Sequence, residues 1–217
     1  MNQNGHTHID AVIFDIGRVL IGFDFNRAFK AAEAFVGIPA LEIRAKIFGA
    51  SDFAGYDRER DIVEFECGRI SEREFHSRVE RTLQCRIPYE LFCHAWNGIF
   101  DDEISGTVES LRQLHRRGLK VGILSNTNRL HFEHLRVRMP VLSEIQHVYA
   151  SHEIGCRKPD AESYHHALKK MDVAAQRTVF VDDLPDNVAA AQKIGMKTIH
   201  AVSSEAVRTG LSELGIL

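Results

Sequence analysis

The chain has 217 residues, 44% of them hydrophobic, and a formal net charge of −3, enough for one sizeable globular core with a smaller insertion. No block of like charge stands out, which argues against nucleic acid and anionic membranes as partners and leaves a small phosphorylated substrate compatible with the balance. The opening MNQNGHTHID, with His6 and His8, lacks the basic and apolar regions of a leader, no later run approaches the roughly 18 apolar residues of a spanning helix, and Cys67, Cys85, Cys93 and Cys156 show no CxxC spacing. The expectation is a cytoplasmic protein with reduced thiols and a frayed N-terminal tail.

The first predicted element is the apolar run Val12, Ile13, Phe14 within DAVIFDIGRVL, which stops at Asp15 and Gly17 as a buried parallel strand does on reaching a loop. Asp15 then sits at a strand's carboxyl end, outside which open α/β sheets bind their ligands. Taken alone, this aspartate fits a cap on the next element equally well. No further strand-like run follows until Leu119. Apolar spacing instead predicts helices over 25–37, 41–48, 58–67, 71–83 and 88–100. Gly37 ahead of Pro39 is a stop signal, and Ser71 with Glu74 forms a capping box. Tyr89, Phe92, Trp96 and Phe100 are assigned to the core of this helical stretch rather than to a ligand cage.

From Glu103 onward helix and strand alternate. Helices are predicted over 107–117, 161–171, 187–194 and 203–214, and strands over 119–124, 147–150, 178–181 and 198–202. Such alternation implies a parallel sheet covered on both faces, with right-handed crossovers. The expected fold is an α/β core, residues 1–20 and 101–217, interrupted after its first strand by an all-helical insertion over 21–100.

Asp15, Ser125, Lys158 and the pair Asp182, Asp183 all fall at or soon after the carboxyl end of a predicted strand, so one crevice would gather them. A lone Lys158 would read as a solvated loop lysine. The set together suits phosphoryl transfer. Two or more carboxylates can hold Mg²⁺, which takes octahedral oxygen ligation and tolerates water and phosphate ligands. A further carboxylate oxygen can attack phosphorus and form an aspartyl phosphate. Ser125 and the Asn126 backbone N–H can hydrogen-bond the transferring group while Lys158 neutralises its charge.

In the order FDIGRVL, ILSNTN, GCRKPD and VFVDDLPDN, the chain resembles the four motifs of the haloacid dehalogenase superfamily over nearly its whole length. The stretches DFNR, SNTNRLH and RKP are similar to those of bacterial α-D-glucose-1-phosphate phosphatases and their relatives. The resemblance implies a Rossmann-like core with a helical C1 cap and a Mg²⁺-dependent phosphatase acting on a small phosphorylated metabolite. By motif match, Asp15 would be the nucleophile, Ser125 and Asn126 the phosphate binders and Lys158 the charge stabiliser. The metal would be held by Asp15, the Gly17 carbonyl and Asp183. Asp182 would be a further ligand or an orienting carboxylate, and Asn187 a polar support for the metal or for Lys158.

The chain departs from the superfamily pattern at Gly17, where most members carry a second aspartate that serves as general acid and base. Its absence removes proton transfer, worth roughly 10²–10⁴-fold where it operates. A sugar 1-phosphate would tolerate the loss, because its hemiacetal oxygen bears negative charge better than an alcohol oxygen and the transition state is loose. Arg18 is a second oddity, expected to point into solvent between core and cap rather than to approach the substrate phosphate.

Two rival readings remain. A haloacid dehalogenase also lacks the second aspartate, but it needs no metal, and the pair Asp182, Asp183 argues against it. A non-catalytic phosphometabolite- or protein-binding member would leave Asp15, Ser125, Lys158 and Asp183 idle. The pairs His131, His134 and His165, His166 lack carboxylates at ligand spacing and are expected at surface or half-buried helix positions, with only His131 near enough to the motifs to reach the cap. Specificity is expected from cap residues around Asp24, Phe53, Tyr56 and Trp96.

Overall fold

The computed structural model describes residues 8–49 and 60–217. Strand β1 (Ala11–Phe14) is buried along its whole length. Val12 and Phe14 belong to one apolar cluster, with Leu111, Leu114, Val207 and Leu211. Ala11 and Ile13 belong to another, with Tyr164, Ala167, Leu168 and Met171. That two-residue alternation, apolar on both sides, is what a strand between two helical layers requires.

Four more strands complete a parallel sheet: β4 (Lys120–Ser125), β5 (His147–Ala150), β6 (Thr178–Asp182) and β7 (Lys197–His200). Their order is β5-β4-β1-β6-β7. Helices α6 (Ser105–Arg116) and α12 (Ser204–Glu213) cover one face, and α10 (Ala161–Met171) and α11 (Pro185–Lys193) the other. From β1 the chain runs out to β4 and β5, then crosses back to β6 and β7, so the order reverses at β1 and opens a crevice at its carboxyl end. Phe14 pairs in register with Ile123 and Val181, which brings the next residue, Asp15, level with Asp182.

The insertion comprises α1 (Phe25–Val36), α2 (Ala40–Phe48), α3 (Arg60–Glu66), α4 (Glu72–Leu83) and α5 (Tyr89–Asn97). Asp24 caps α1 by accepting the Asn26 N–H at 2.9 Å, and Gly37 ends it in the left-handed conformation, φ 72°. Ser71 caps α4 by accepting the Glu74 N–H at 3.2 Å, as the capping box predicts. Its core is aromatic: Phe65 stacks on Phe75 at 4.4 Å, and Phe75 meets Trp96 edge-on at 5.0 Å.

The expectation of an all-helical insertion needs correction at both ends. Strand β2 (Ile21–Phe23) pairs antiparallel with β3 (Phe100–Glu103), tying the entry and exit of the insertion together. Phe100 therefore lies in β3, and the last helix stops at Asn97. Short strands of sequence Ile-Gly-Phe and Phe-Asp-Asp-Glu carry no alternation, and their pairing is a tertiary contact. Helices α7 (Arg129–Arg138), α8 (Val141–Glu144) and α9 (Ser151–Ile154) complete the chain. The four cysteines are free, and no helix among the described residues is long and apolar enough to cross a membrane.

Candidate active site

The Asp15 N–H donates to the Val181 carbonyl at 2.9 Å, which fixes Asp15 beside the end of β6. Lys158 reaches the same place from the far side of β5. The Asn126 amide donates to the Lys158 carbonyl and accepts its N–H, both at 2.8 Å, so the loop after β4 clamps the backbone of the lysine. The lysine side chain is 1% exposed, with Nζ 2.8 Å from Asp15 Oδ1 and 2.6 Å from Asp182 Oδ2. Asp182 also accepts the Leu184 N–H at 2.9 Å and the Asn187 amide at 3.0 and 3.1 Å. These four contacts orient the Asp182 carboxylate and tie it to Lys158. Asn187 serves Asp182, and through it Lys158.

Three carboxylates share this pocket with one lysine. Burial pushes the Asp15 carboxyl up to about 7, against the pull of Lys158, and the charges of Asp182 and Asp183 add to the rise. Burial, then Asp182, likewise raises Asp183, opposed by Arg18 and Lys158. At Lys158 burial works to lower the pKa, but attraction to Asp15 and Asp182 outweighs it and holds the ammonium above its usual value. Asp15, Asp182 and Asp183 each offer an oxygen within 4.8 Å of the others. Nearby, the bridge between residues 17 and 21 uses the Arg18 N–H and the Ile16 and Ile21 carbonyls, leaving the Gly17 carbonyl outside its hydrogen bonds. An all-oxygen donor set with excess negative charge fits a hard divalent cation such as Mg²⁺.

The loop after β4 supplies the opposite wall. Ser125 is buried, and the Asn126 side chain is engaged by Lys158 through both its amide oxygen and its amide nitrogen. Thr127 donates its N–H to Ser151 Oγ at 2.9 Å, and that hydroxyl donates at 2.6 Å to the carbonyl of Glu66 in the insertion. The cavity has a volume of about 390 Å³, with Asp15, Ser125, Lys158 and Asp183 among its lining. Phe23, Phe25, Ile99, Phe100 and Leu135 give it an apolar wall.

Three lining residues add to the sequence reading, and one of them, Glu66, escaped it. Arg18 has φ 55°, its guanidinium lies 4.8 Å from the centre of the Phe23 ring, and Nη1 is 3.7 Å from Asp183 Oδ2. It lines the site while its side chain stays 41% exposed, in keeping with the expected position in solvent between core and cap. Glu66, the last residue of α3, forms a buried ion pair with Arg157 at 3.0 Å, the side chains being 2% and 6% exposed. The periodicity Ile62, Glu66 was a usable signal, since it puts the acid on the buried face of α3. His131 reaches the insertion, as expected of it alone among these histidines, but is buried rather than at a surface or half-buried position: Nε2–H donates to the Trp96 carbonyl at 2.9 Å and Nδ1 accepts from the Asn128 amide at 3.1 Å. Burial lowers its pKa to about 3 and keeps the ring neutral. His134 and His166 are half-buried and His165 is exposed, as expected; His6, Phe53 and Tyr56 lie outside the described residues. Asp24 caps α1, and Trp96 is buried in the insertion's aromatic core.

The order of strands, the shared lysine and the helical insertion agree with comparison to known families: the sequence profile of the haloacid dehalogenase-like hydrolases matches residues 62–201. The chain belongs to that family. A phosphatase of Mycobacterium tuberculosis is 28% identical to this haloacid dehalogenase-like hydrolase over 96% of both chains. A sesquiterpene phosphatase of Aspergillus oryzae is 38% identical over 48% of this chain and 53% of its own length. A HAD family enzyme from Bacteroides thetaiotaomicron, 24% identical, has the same fold, with a TM-score of 0.76 over 88% of this chain and 93% of that one. That enzyme has also been solved with magnesium and inorganic phosphate.

Proposed function

We propose that this chain is a Mg²⁺-dependent phosphatase that hydrolyses a small phosphomonoester through an aspartyl phosphate on Asp15. The observation that carries the reading is the buried Lys158 shared between Asp15 and Asp182, with Asp183 alongside. The Asp15 oxygen that faces away from Lys158 attacks phosphorus, while the Ser125 hydroxyl and the Asn126 N–H hold the phosphoryl oxygens. Lys158, kept in place by Asn126, Asp182 and Asn187, balances the charge that gathers on the phosphoryl group. Held by Asp15, Asp183 and the Gly17 carbonyl, Mg²⁺ would neutralise the phosphate and orient it. The relatives named as phosphatases support this reading, as does the magnesium and phosphate complex of a protein with the same fold.

In this reading residues 1–20 and 101–217 form the catalytic core, and 21–100 a cap whose contacts through Glu66 and Trp96 shut the site from water. Free cysteines fit a reducing compartment, the cytoplasm. A sugar phosphate such as α-D-glucose 1-phosphate is the substrate that the motif resemblance favours, with its hemiacetal oxygen suited to a glycine at 17. The apolar wall of Phe25, Ile99, Phe100 and Leu135 favours a second reading, the phosphate of an apolar alcohol, in line with the sesquiterpene phosphatase relative.

Phosphate release from both substrate classes with Mg²⁺, with and without EDTA, tests the proposal. Metal-dependent release that Asp15→Asn abolishes is the expected result. If no compound yields phosphate, the non-catalytic binding reading replaces it; chloride released from a 2-haloacid in EDTA would point to a dehalogenase.

A further inference from the structure

We infer that the site cleaves phosphate esters whose leaving oxygen departs without a proton, and that Phe23, packed over Gly17, is the residue that sets this specificity. The inference rests on the phosphatase reading and deepens it. Gly17 lies two residues beyond Asp15 in the cavity wall. A Cβ there would stand 2.7 Å from Phe23 Cε1 and 3.2 Å from Cδ1, closer than packed atoms approach. The ring has neighbours on two sides. Phe23 is a residue of β2, which β3 pairs; its ring meets Phe25 edge-on at 5.5 Å, and the Arg18 guanidinium covers it at 4.8 Å. Beside Asp15 the cavity wall is therefore hydrocarbon, and an acidic side chain at position 17 would require the Phe23 ring to shift.

Apart from the exposed Asp186, the titratable residues that line the described cavity are engaged by partners. Both His131 nitrogens are engaged, by Trp96 and Asn128. Glu66 is paired with Arg157 at 3.0 Å, and Asp183 lies 3.7 Å from Arg18. Lys158 is shared by Asp15 and Asp182, and Asp182 is engaged by Lys158, Asn187 and the Leu184 N–H. Asp186 is exposed at the rim. As the bond from Asp15 oxygen to phosphorus forms, the ester P–O bond breaks and its electron pair stays on the leaving oxygen, which takes a proton from water after departure. Water oxygen then bonds to phosphorus, the bond to Asp15 breaks to return the carboxylate, and the water proton passes to solvent. The barrier of the first step follows the acidity of the departing hydroxyl. Phosphates on anomeric, enolic or aryl oxygen are thus the preferred substrates, and alkyl phosphates, those of apolar alcohols included, forgo the roughly 10²–10⁴-fold that a positioned acid supplies.

Phenyl and cyclohexyl phosphate test this directly, because both are apolar six-membered rings of similar size and differ chiefly in the acidity of the departing hydroxyl. The native enzyme with Mg²⁺ is expected to favour phenyl phosphate in kcat/KM by at least about 100-fold. A ratio below about tenfold, short of what one absent acid costs, overturns the inference and leaves the phosphatase reading standing. Hydrolysis of neither ester, nor of any other in the panel, overturns the reading beneath it. The double variant Gly17→Asp with Phe23→Ala makes room and supplies an acid, and is expected to narrow the ratio by about tenfold or more; Gly17→Asp alone is not. A double variant with native circular dichroism and Mg²⁺-dependent turnover of phenyl phosphate, yet an unchanged ratio, overturns the role of Phe23. Should it not fold, the native ratio decides alone.

Discussion

Replacing Arg157 with methionine removes the guanidinium 3.0 Å from the Glu66 carboxylate, which is 2% exposed at the junction of insertion and core. Two unit charges 3.0 Å apart attract by about 5 kcal/mol at an effective dielectric near 20, and removing one partner of a buried pair costs about 3–5 kcal/mol. The variant is expected to lose that much stability. Changing Glu66 to methionine as well removes the buried charge that Arg157 had faced, and the apolar pair should return most of the loss. Urea unfolding at neutral pH, followed by far-UV circular dichroism and by fluorescence of Trp96, the one tryptophan, reports on the whole chain and on the insertion together. A loss below about 1 kcal/mol in the single variant, the scale of an exposed pair, would refute the reasoning. So would a double variant no more stable than the single one.

At His131 the folded value of about 3 lies below the ordinary 6.5, so protonation favours the unfolded chain. The stability that its neutral ring contributes is complete above pH 6.5 and falls as the pH drops toward 3, by roughly 2 kcal/mol between pH 7 and 5. His131→Asn should lose correspondingly less over that interval in urea titrations, and equal losses in the two proteins would contradict the assignment. Gly68→Ala should cost more than about 2 kcal/mol, since φ is 66° and its Cβ would stand 2.2 Å from the His152 carbonyl oxygen. Gly37→Ala, at φ 72° with nothing within 4 Å, should cost only about 1 kcal/mol, and similar losses from the two would refute the packing argument.

Much of this arrangement is legible in the sequence because strand ends announce themselves. The apolar runs of β1, β4 and β6 stop at Asp15, Ser125 and Asp182, and parallel pairing brings all three to one edge. Lys158 follows β5 only after α9, and the tertiary clamp from Asn126 fixes its backbone at the site. The β2–β3 pair was hidden because Gly22 and the acids of β3 mask strand character, and its partners are joined only by folding. His131 looked peripheral because α7 is rich in charge; its burial comes from the Trp96 carbonyl and ring, supplied by the insertion. The ring of Phe23 over Gly17 had no local signature, since residues 17–23 first fold back on themselves through the Arg18 to Ile21 hydrogen bond.

The most direct test is acid quenching of the enzyme during turnover with Mg²⁺, followed by peptide mass spectrometry. A phosphoryl group on the peptide that contains Asp15, labile to hydroxylamine and absent in Asp15→Asn, is the predicted result. Metal-dependent phosphate release that persists in Asp15→Asn, with no phosphorylated peptide at any quench time, would contradict the account.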